Sequence, residues 1–198
     1  MHQYFSNLDF KVFLALNNLT GHPWADWFFV LCAVYFAFIM PAILIIWWFV
    51  AEDRISARKA ILLAGLAALV ARYGIKTLIA TFWSRNRPFI AHTVHDIISK
   101  KDNQASFPSG HAIAMFAIAS AVYAYNKKMG ILMYTMATLT GICRIVVGVH
   151  YPSDIIAGAV LGALTGYLLA KVLDKRIDPL TQSISNLSNQ ALPFTKSK

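Results

Sequence analysis

The sequence predicts an all-α integral membrane protein: a helical bundle of about five transmembrane helices, with an N-terminal interfacial amphipathic helix ahead of them. Three observations predict it. The 198 residues are 58% hydrophobic and 14% charged, with a mean hydropathy of +0.54; soluble domains carry roughly a quarter charged residues. The apolar residues fall in long blocks. Tryptophans bracket the first block, Trp24 and Trp27 at one end and Trp47 and Trp48 at the other, as in the aromatic belts of a bilayer.

Residues 8–19 set Leu8, Val12, Leu16 and Leu19 in a mixed segment too polar to span, which predicts a helix lying in the interface. The first residues lack a basic stretch and predict no cleaved signal peptide. The first span covers 27–50, where roughly twenty residues between the tryptophan belts make about 30 Å of helix, one hydrocarbon core. Pro41 predicts a kink in it. A charged turn at 52–59 leads to a second span at 60–83. The third, 111–125, is stopped by Asn126-Lys127-Lys128. The fourth and fifth cover 130–149 and 153–172. The membrane domain is expected over 1–173. Residues 174–198, rich in Ser, Asn and Gln, form a cytoplasmic tail with a short helix. Cys32 and Cys143 sit inside apolar blocks, so no disulfide framework is expected.

Charge gives the orientation. Arg54, Arg58, Lys59, Lys127, Lys128, Lys171, Lys175, Arg176, Lys196 and Lys198 fall on one side; Arg85, Arg87, Lys100 and Lys101 fall on the other, with Lys11 if the N-terminal segment lies there. The richer side is expected to be cytoplasmic. The loop before the third span and the turn at 149–152 then face outward. The net charge of +9 suggests anionic partners, and part of that excess sets topology; membrane lipids are expected partners and nucleic acid is not.

The chain is organised around Ser106-Phe107-Pro108-Ser109-Gly110-His111. Ser109 is a good N-cap, and Gly110 lets a ligand approach the backbone. The free N–H groups of the following helix favour an anion such as phosphate. His111 stands beside them and can trade a proton near neutral pH. An N-cap, a turn glycine and an incidental histidine would give the same string, so the rest of the chain decides. Arg87-Pro88 follows the second span, Arg144 and His150 close the fourth, and Asp154 opens the fifth. All map to the outer ends of the spans. Two forked guanidiniums, one helix N-terminus and two histidines suit a phosphate.

Phosphoryl transfer then assigns roles. His150 is the nucleophile, Asp154 fixes its tautomer, and His111 protonates the leaving group and later activates water. Arg87, Arg144, Ser109 and the Gly110 amide hold the phosphoryl oxygens. Arg72 and Lys76 lie inside the second span, four apart on one helix face. Intramembrane cations are paired or functional, or they snorkel to headgroups; Lys76 suits either reading, and snorkelling serves Arg72 poorly.

The stretches Arg87-Pro88, Pro108-Ser109-Gly110-His111 and Arg144-x5-His150-x3-Asp154 resemble the three signature motifs of the type 2 phosphatidic acid phosphatase superfamily. The short N-terminal segment, five spans and the run from Arg87 to His95 resemble its bacitracin-resistance-type undecaprenyl-diphosphate phosphatases. The resemblance implies release of the terminal phosphate of undecaprenyl diphosphate on the outer face of a bacterial cell membrane, through a phosphohistidine, with no cofactor and no metal. Three departures stand out, one of them Cys143, where the family usually has serine before Arg144. The lysine of the family's Lys-x6-Arg-Pro falls at Ala80, so Lys76 or Arg85 is the candidate for the missing charge. Gly110 stands where that subgroup typically has Asp. A phosphatase of phosphatidate, phosphatidylglycerophosphate or lipid A shares the same motifs. A two-histidine, one-carboxylate metal site at His111, His150 and Asp154 is disfavoured by the arginines beside it. Ser106 or Ser109 as nucleophile, and a transporter or scaffold without catalysis, are the other readings. His92, His95 and Asp96 are expected to shape the rim of the site.

Overall fold

The computed structural model describes residues 2–98 and 105–191. Among these stand eight helices: α1 (His2–Asn17), α2 (Pro23–Val50), α3 (Arg54–Phe82), α4 (Pro88–Ala91), α5 (Gly110–Tyr123), α6 (Lys127–Val146), α7 (Pro152–Leu173) and α8 (Asp178–Ala191). Lys100, Lys101, Asp102, Lys196 and Lys198 lie outside the described residues.

Local chemistry sets the helix starts. Asp53 accepts the Ser56 N–H at 3.0 Å ahead of α3, and Asn126 accepts the Met129 N–H at 2.9 Å ahead of α6. Pro152 occupies the first turn of α7, where a missing N–H costs nothing. The chain continues helically through Pro41. Two π turns interrupt the long helices, Leu31–Tyr35 in α2 and Val70–Ile75 in α3.

Four helices, α2, α3, α6 and α7, are long and apolar enough to cross a membrane. The expected third span is different. α5 has 14 residues, about 21 Å at the rise of an α-helix, which is short of a hydrocarbon core. It packs against α3, α6 and α7, with Ile113, Ala117, Ala121 and Val122 fully buried. A helix sheathed by protein has no need to match the bilayer thickness.

The α5–α7 seam is built from small residues. A Cβ on Gly162 would collide with the Ile113 carbonyl oxygen, one on Gly166 with that of Ala117, and one on Gly158 would stand 2.9 Å from the Ala112 Cβ. The two backbones therefore lie in direct contact, as at small-residue seams between membrane helices. This closeness brings the start of α5 to the start of α7, where the Ser109 N–H donates to the Asp154 carbonyl at 3.0 Å.

α1 turns a mixed face toward the bundle. Leu8, Val12 and Leu19 are exposed, while Asp9, Phe13 and Asn17, spaced by four, face the bundle. Asn17 donates to the carbonyls of His95 and Val146, both at 2.8 Å. At the opposite end of the bundle, Lys59 bridges Asp174 at 2.8 Å and Asp178 at 2.6 Å, and the Tyr125 hydroxyl donates to Asp174 at 2.8 Å. These bonds join α3, α8 and the ends of α5 and α7.

Candidate active site

The start of α5 forms one wall. Ser109 has extended backbone, is fully buried and caps the helix through the Ala112 N–H at 3.5 Å. Gly110 comes next. A Cβ there would meet the Arg72 Nη1 at 2.9 Å and the Lys76 Cε at 3.7 Å. Both cations of α3 thus reach the N-terminus of α5 from the π turn and the turn after it. His111, half-buried, is the next residue.

The facing wall is the turn between α6 and α7. Gly148 takes φ +88°, a conformation few side chains tolerate, and a Cβ on it would strike the His95 carbonyl. The chain reverses there and delivers His150, 2% exposed, above Asp154, 0% exposed. The His150 Nδ1 lies 3.5 Å from the Asp154 Oδ2. That same oxygen accepts the Ser106 hydroxyl at 2.5 Å and the Tyr151 N–H at 2.9 Å.

These bonds select a tautomer. Ser106 spends its proton on Asp154, so its oxygen presents lone pairs to the His150 Nδ1, 3.3 Å away. Both neighbours of Nδ1 are acceptors, and Nδ1 carries the proton. Nε2 is left with its lone pair, the form a nucleophile requires. Burial pushes the His150 pKa down to about 4; Asp154 opposes this, while Arg144 and Arg87 add to it. The ring is neutral at ordinary pH.

Arg87 and Arg144 are buried, 5% and 3% exposed. Arg87 precedes α4. Arg144 is in the last turn of α6, its Nη1 donating to the Ala33 carbonyl at 3.1 Å. Two buried guanidiniums near a neutral imidazole suit an anion with several oxygens.

Arg85 is engaged elsewhere. Its Nη1 donates to the Ser153 Oγ at 2.7 Å and the Asp154 Oδ1 at 3.0 Å, and its Nη2 to the Asp9 Oδ2 at 2.7 Å. It stacks over the Tyr151 ring at 3.7 Å. Asp9 also accepts the Ser153 N–H at 2.9 Å and hydroxyl at 2.6 Å. Sequence reasoning missed Asp9 and the bridging role of Ser106. The available signal was the Asp9-Phe13-Asn17 spacing, two polar residues on the face of an apolar one. His92 stacks on Phe10 with centroids 4.1 Å apart, and the His95 Nδ1 meets the Thr20 hydroxyl at 2.9 Å. Both fasten the segment after α4 to the N-terminal segment.

Two apolar cavities flank the site. One of about 680 Å³ lies among Leu8, Val12, Trp83, Phe107 and Ile156, with Asp9, Arg85 and Ser153 among its polar lining. The other, of about 430 Å³, lies between α2 and α3 along Leu44, Ala64 and Ala68, with Arg72 and Tyr73 in its wall.

The chain is also similar to known proteins. The PAP2 superfamily model matches residues 59–178. Undecaprenyl-diphosphatase BcrC of Bacillus subtilis (strain 168) is 33% identical over 168 residues, covering 84% of this chain and 85% of that protein. The crystal structure of Aquifex aeolicus LpxE superposes with a TM-score of 0.66 at 26% identity, over 83% of this chain and 95% of that one. A transmembrane PAP2-type phosphatidylglycerolphosphate phosphatase from Bacillus subtilis shares the fold, with a TM-score of 0.61 at 23% identity and 88% of each chain covered.

Proposed function

This chain belongs to the PAP2 superfamily of membrane lipid phosphatases, and from that premise we propose that it removes the terminal phosphate of undecaprenyl diphosphate at the outer face of a bacterial cell membrane. The observation that carries the substrate is a double tier of cations. Arg87 and Arg144 are buried near His150, and a second pair, Arg72 and Lys76, reaches Gly110. A monophosphate needs one tier; a diphosphate uses both. Lys76 and Arg72 thereby supply the charge that Ala80 lacks, and Arg85 serves Asp154. The similarity to undecaprenyl-diphosphatase BcrC supports the same substrate.

The geometry supports the following steps. The terminal phosphoryl group lies among Arg87, Arg144, Ser109 and the Gly110 N–H. The His150 Nε2 attacks phosphorus in line, the bond to the bridging oxygen breaks, and His111 protonates the departing lipid monophosphate. Water then attacks the phosphohistidine, giving a proton to His111, and the P–N bond breaks to release inorganic phosphate. Asp154 stabilises the cationic ring in both steps. The prenyl chain occupies the cavity between α2 and α3, because Arg72 in its wall also meets Gly110. Arg85, in the other cavity, is taken up by two carboxylates. The Lys and Arg distribution supports an outward-facing site.

The test is phosphate release by the purified protein in detergent with EDTA. Undecaprenyl diphosphate, phosphatidate and phosphatidylglycerophosphate are offered side by side, with His150→Ala as control. Preference for the prenyl diphosphate, lost in the variant, is expected. Preference for a glycerolipid overturns the substrate and leaves the mechanism. Full activity in His150→Ala overturns the mechanism.

A further inference from the structure

The catalytic carboxylate is gripped from both sides. Its inner oxygen, Oδ2, serves His150, Ser106 and the Tyr151 N–H; its outer oxygen, Oδ1, accepts from Arg85. Arg85 in turn is held by Asp9, from a helix 76 residues earlier in the chain. Asp9 also binds the N–H and hydroxyl of Ser153, the residue before Asp154. We propose that Asp9 and Arg85 are positioning residues for the Asp154–His150 pair, so that α1 is part of the catalytic machinery as well as a support at the interface. The proposal rests on His150 being the nucleophile.

Charge balance gives Asp9 a task that a neutral anchor could not perform. Around His150 stand Asp154 from α7, Arg144 from α6 and Arg87 from the start of α4. Arg85, with Tyr151 beneath it, lies behind Asp154. On the phosphate side are His111 of α5 and, at Gly110, Arg72 and Lys76 of α3. An uncompensated Arg85 would draw the field of Asp154 away from the imidazole. Asp9 cancels that charge, so the Asp9–Arg85–Asp154 cluster keeps a net charge of −1. The side chains of Asp9 and Arg85 are 11% and 25% exposed, so solvent screens them only in part.

The experiment measures kcat, KM and the pH dependence of kcat/KM for the full chain in detergent. The variants are Asp9→Asn, Arg85→Gln, their combination, Asp9→Glu and His150→Ala, each with its thermal unfolding. Each neutralising single variant is expected to lose about tenfold in kcat, the scale seen when the outer partner of an oriented histidine is removed. The acid limb, which reports His150, moves to lower pH in Asp9→Asn and to higher pH in Arg85→Gln. The combination returns it to the wild-type position, and Asp9→Glu recovers most of kcat. Limbs that stay in place, or losses that merely track thermal destabilisation, overturn the positioning role and leave His150 as nucleophile. An active His150→Ala overturns the nucleophile, and this proposal with it.

Discussion

The guanidinium of Arg72 touches the space that a side chain on Gly110 would fill: Nη1 lies 2.9 Å from an ideal Cβ there. The absence of that Cβ lets a cation from the middle of one helix reach the N-terminus of another. Gly110→Ala therefore displaces Arg72. The atom that yields is the far end of a flexible side chain, so folding is preserved. A loss of about tenfold in kcat/KM is expected from the misplaced cation, read by steady-state kinetics on the prenyl diphosphate beside an unchanged unfolding temperature.

Ser106 separates two readings of the site. As the bridge between Asp154 and His150 it holds a tautomer, and Ser106→Ala should lower kcat by about 10- to 100-fold while leaving clear turnover. Were Ser106 the nucleophile, the same change would abolish turnover. Trapping the labelled phosphoenzyme in Ser106→Ala decides it: the label should persist on histidine.

On the proposed mechanism His150 sets the acid limb of the pH dependence. Burial holds its folded pKa at about 4, below the ordinary 6.5. The neutral ring, the form the proposed nucleophile needs, is present above that value, so kcat/KM should hold its plateau to about pH 5 and fall below it. Stability has the same sign. Between these two values the unfolded chain binds more protons, so the contribution of His150 is full above pH 6.5 and is lost as pH falls through about 4. Unfolding temperature against pH, in wild type and His150→Gln, measures it.

The seam between α5 and α7 tolerates no added side chain at Gly162, because the obstacle is the Ile113 backbone. Gly162→Val should cost at least about 1–3 kcal/mol, the usual range for overpacking. It should lower the unfolding temperature together with activity. Gly65, where a Cβ meets nothing, is the control: Gly65→Ala should leave both intact.

The bonds at the far end work differently. Lys59 and Tyr125 hold the Asp174 carboxyl below the usual range, yet Asp174 is 45% exposed. Exposed pairs are worth about 0–1 kcal/mol. Asp174→Asn should lower the unfolding temperature slightly, with no change in kcat. The small contribution is present above the ordinary carboxylate range and is lost as pH falls through the depressed value.

What was legible in the sequence divides by range. The membrane helices were written in the hydropathy blocks. The neighbourhood of Arg87, Ser109, Gly110, His111, Arg144, His150 and Asp154 could be anticipated, because each stands at or beside a helix end on the same side of the bundle. The length of α5 was not legible, since an apolar run reads the same whether lipid or protein surrounds it. Nor was the partner of Arg85: Asp9 lies in the mixed segment read as interfacial, and only the docking of α1 turns it toward Arg85 and Ser153. Arg72 was legible as a cation inside a span, but its reach to Gly110 was not.

The aim of Arg72 is a property of the whole helix. A π turn carries one residue more than the α-helical turn it replaces, and it rotates the C-terminal part of the helix by about 100° relative to the N-terminal part. The Val70–Ile75 turn therefore makes the direction of Arg72 and Lys76 depend on how many residues α3 contains, and only secondarily on which ones. Deleting one small residue there, such as Gly74, would leave composition, hydropathy and charge almost untouched. It would still regularise the turn and shift Arg72, which lies within it, relative to Gly110. At this place in the chain the reading frame of the helix is itself a functional group, one that a scan of substitutions passes over and a scan of single-residue deletions exposes.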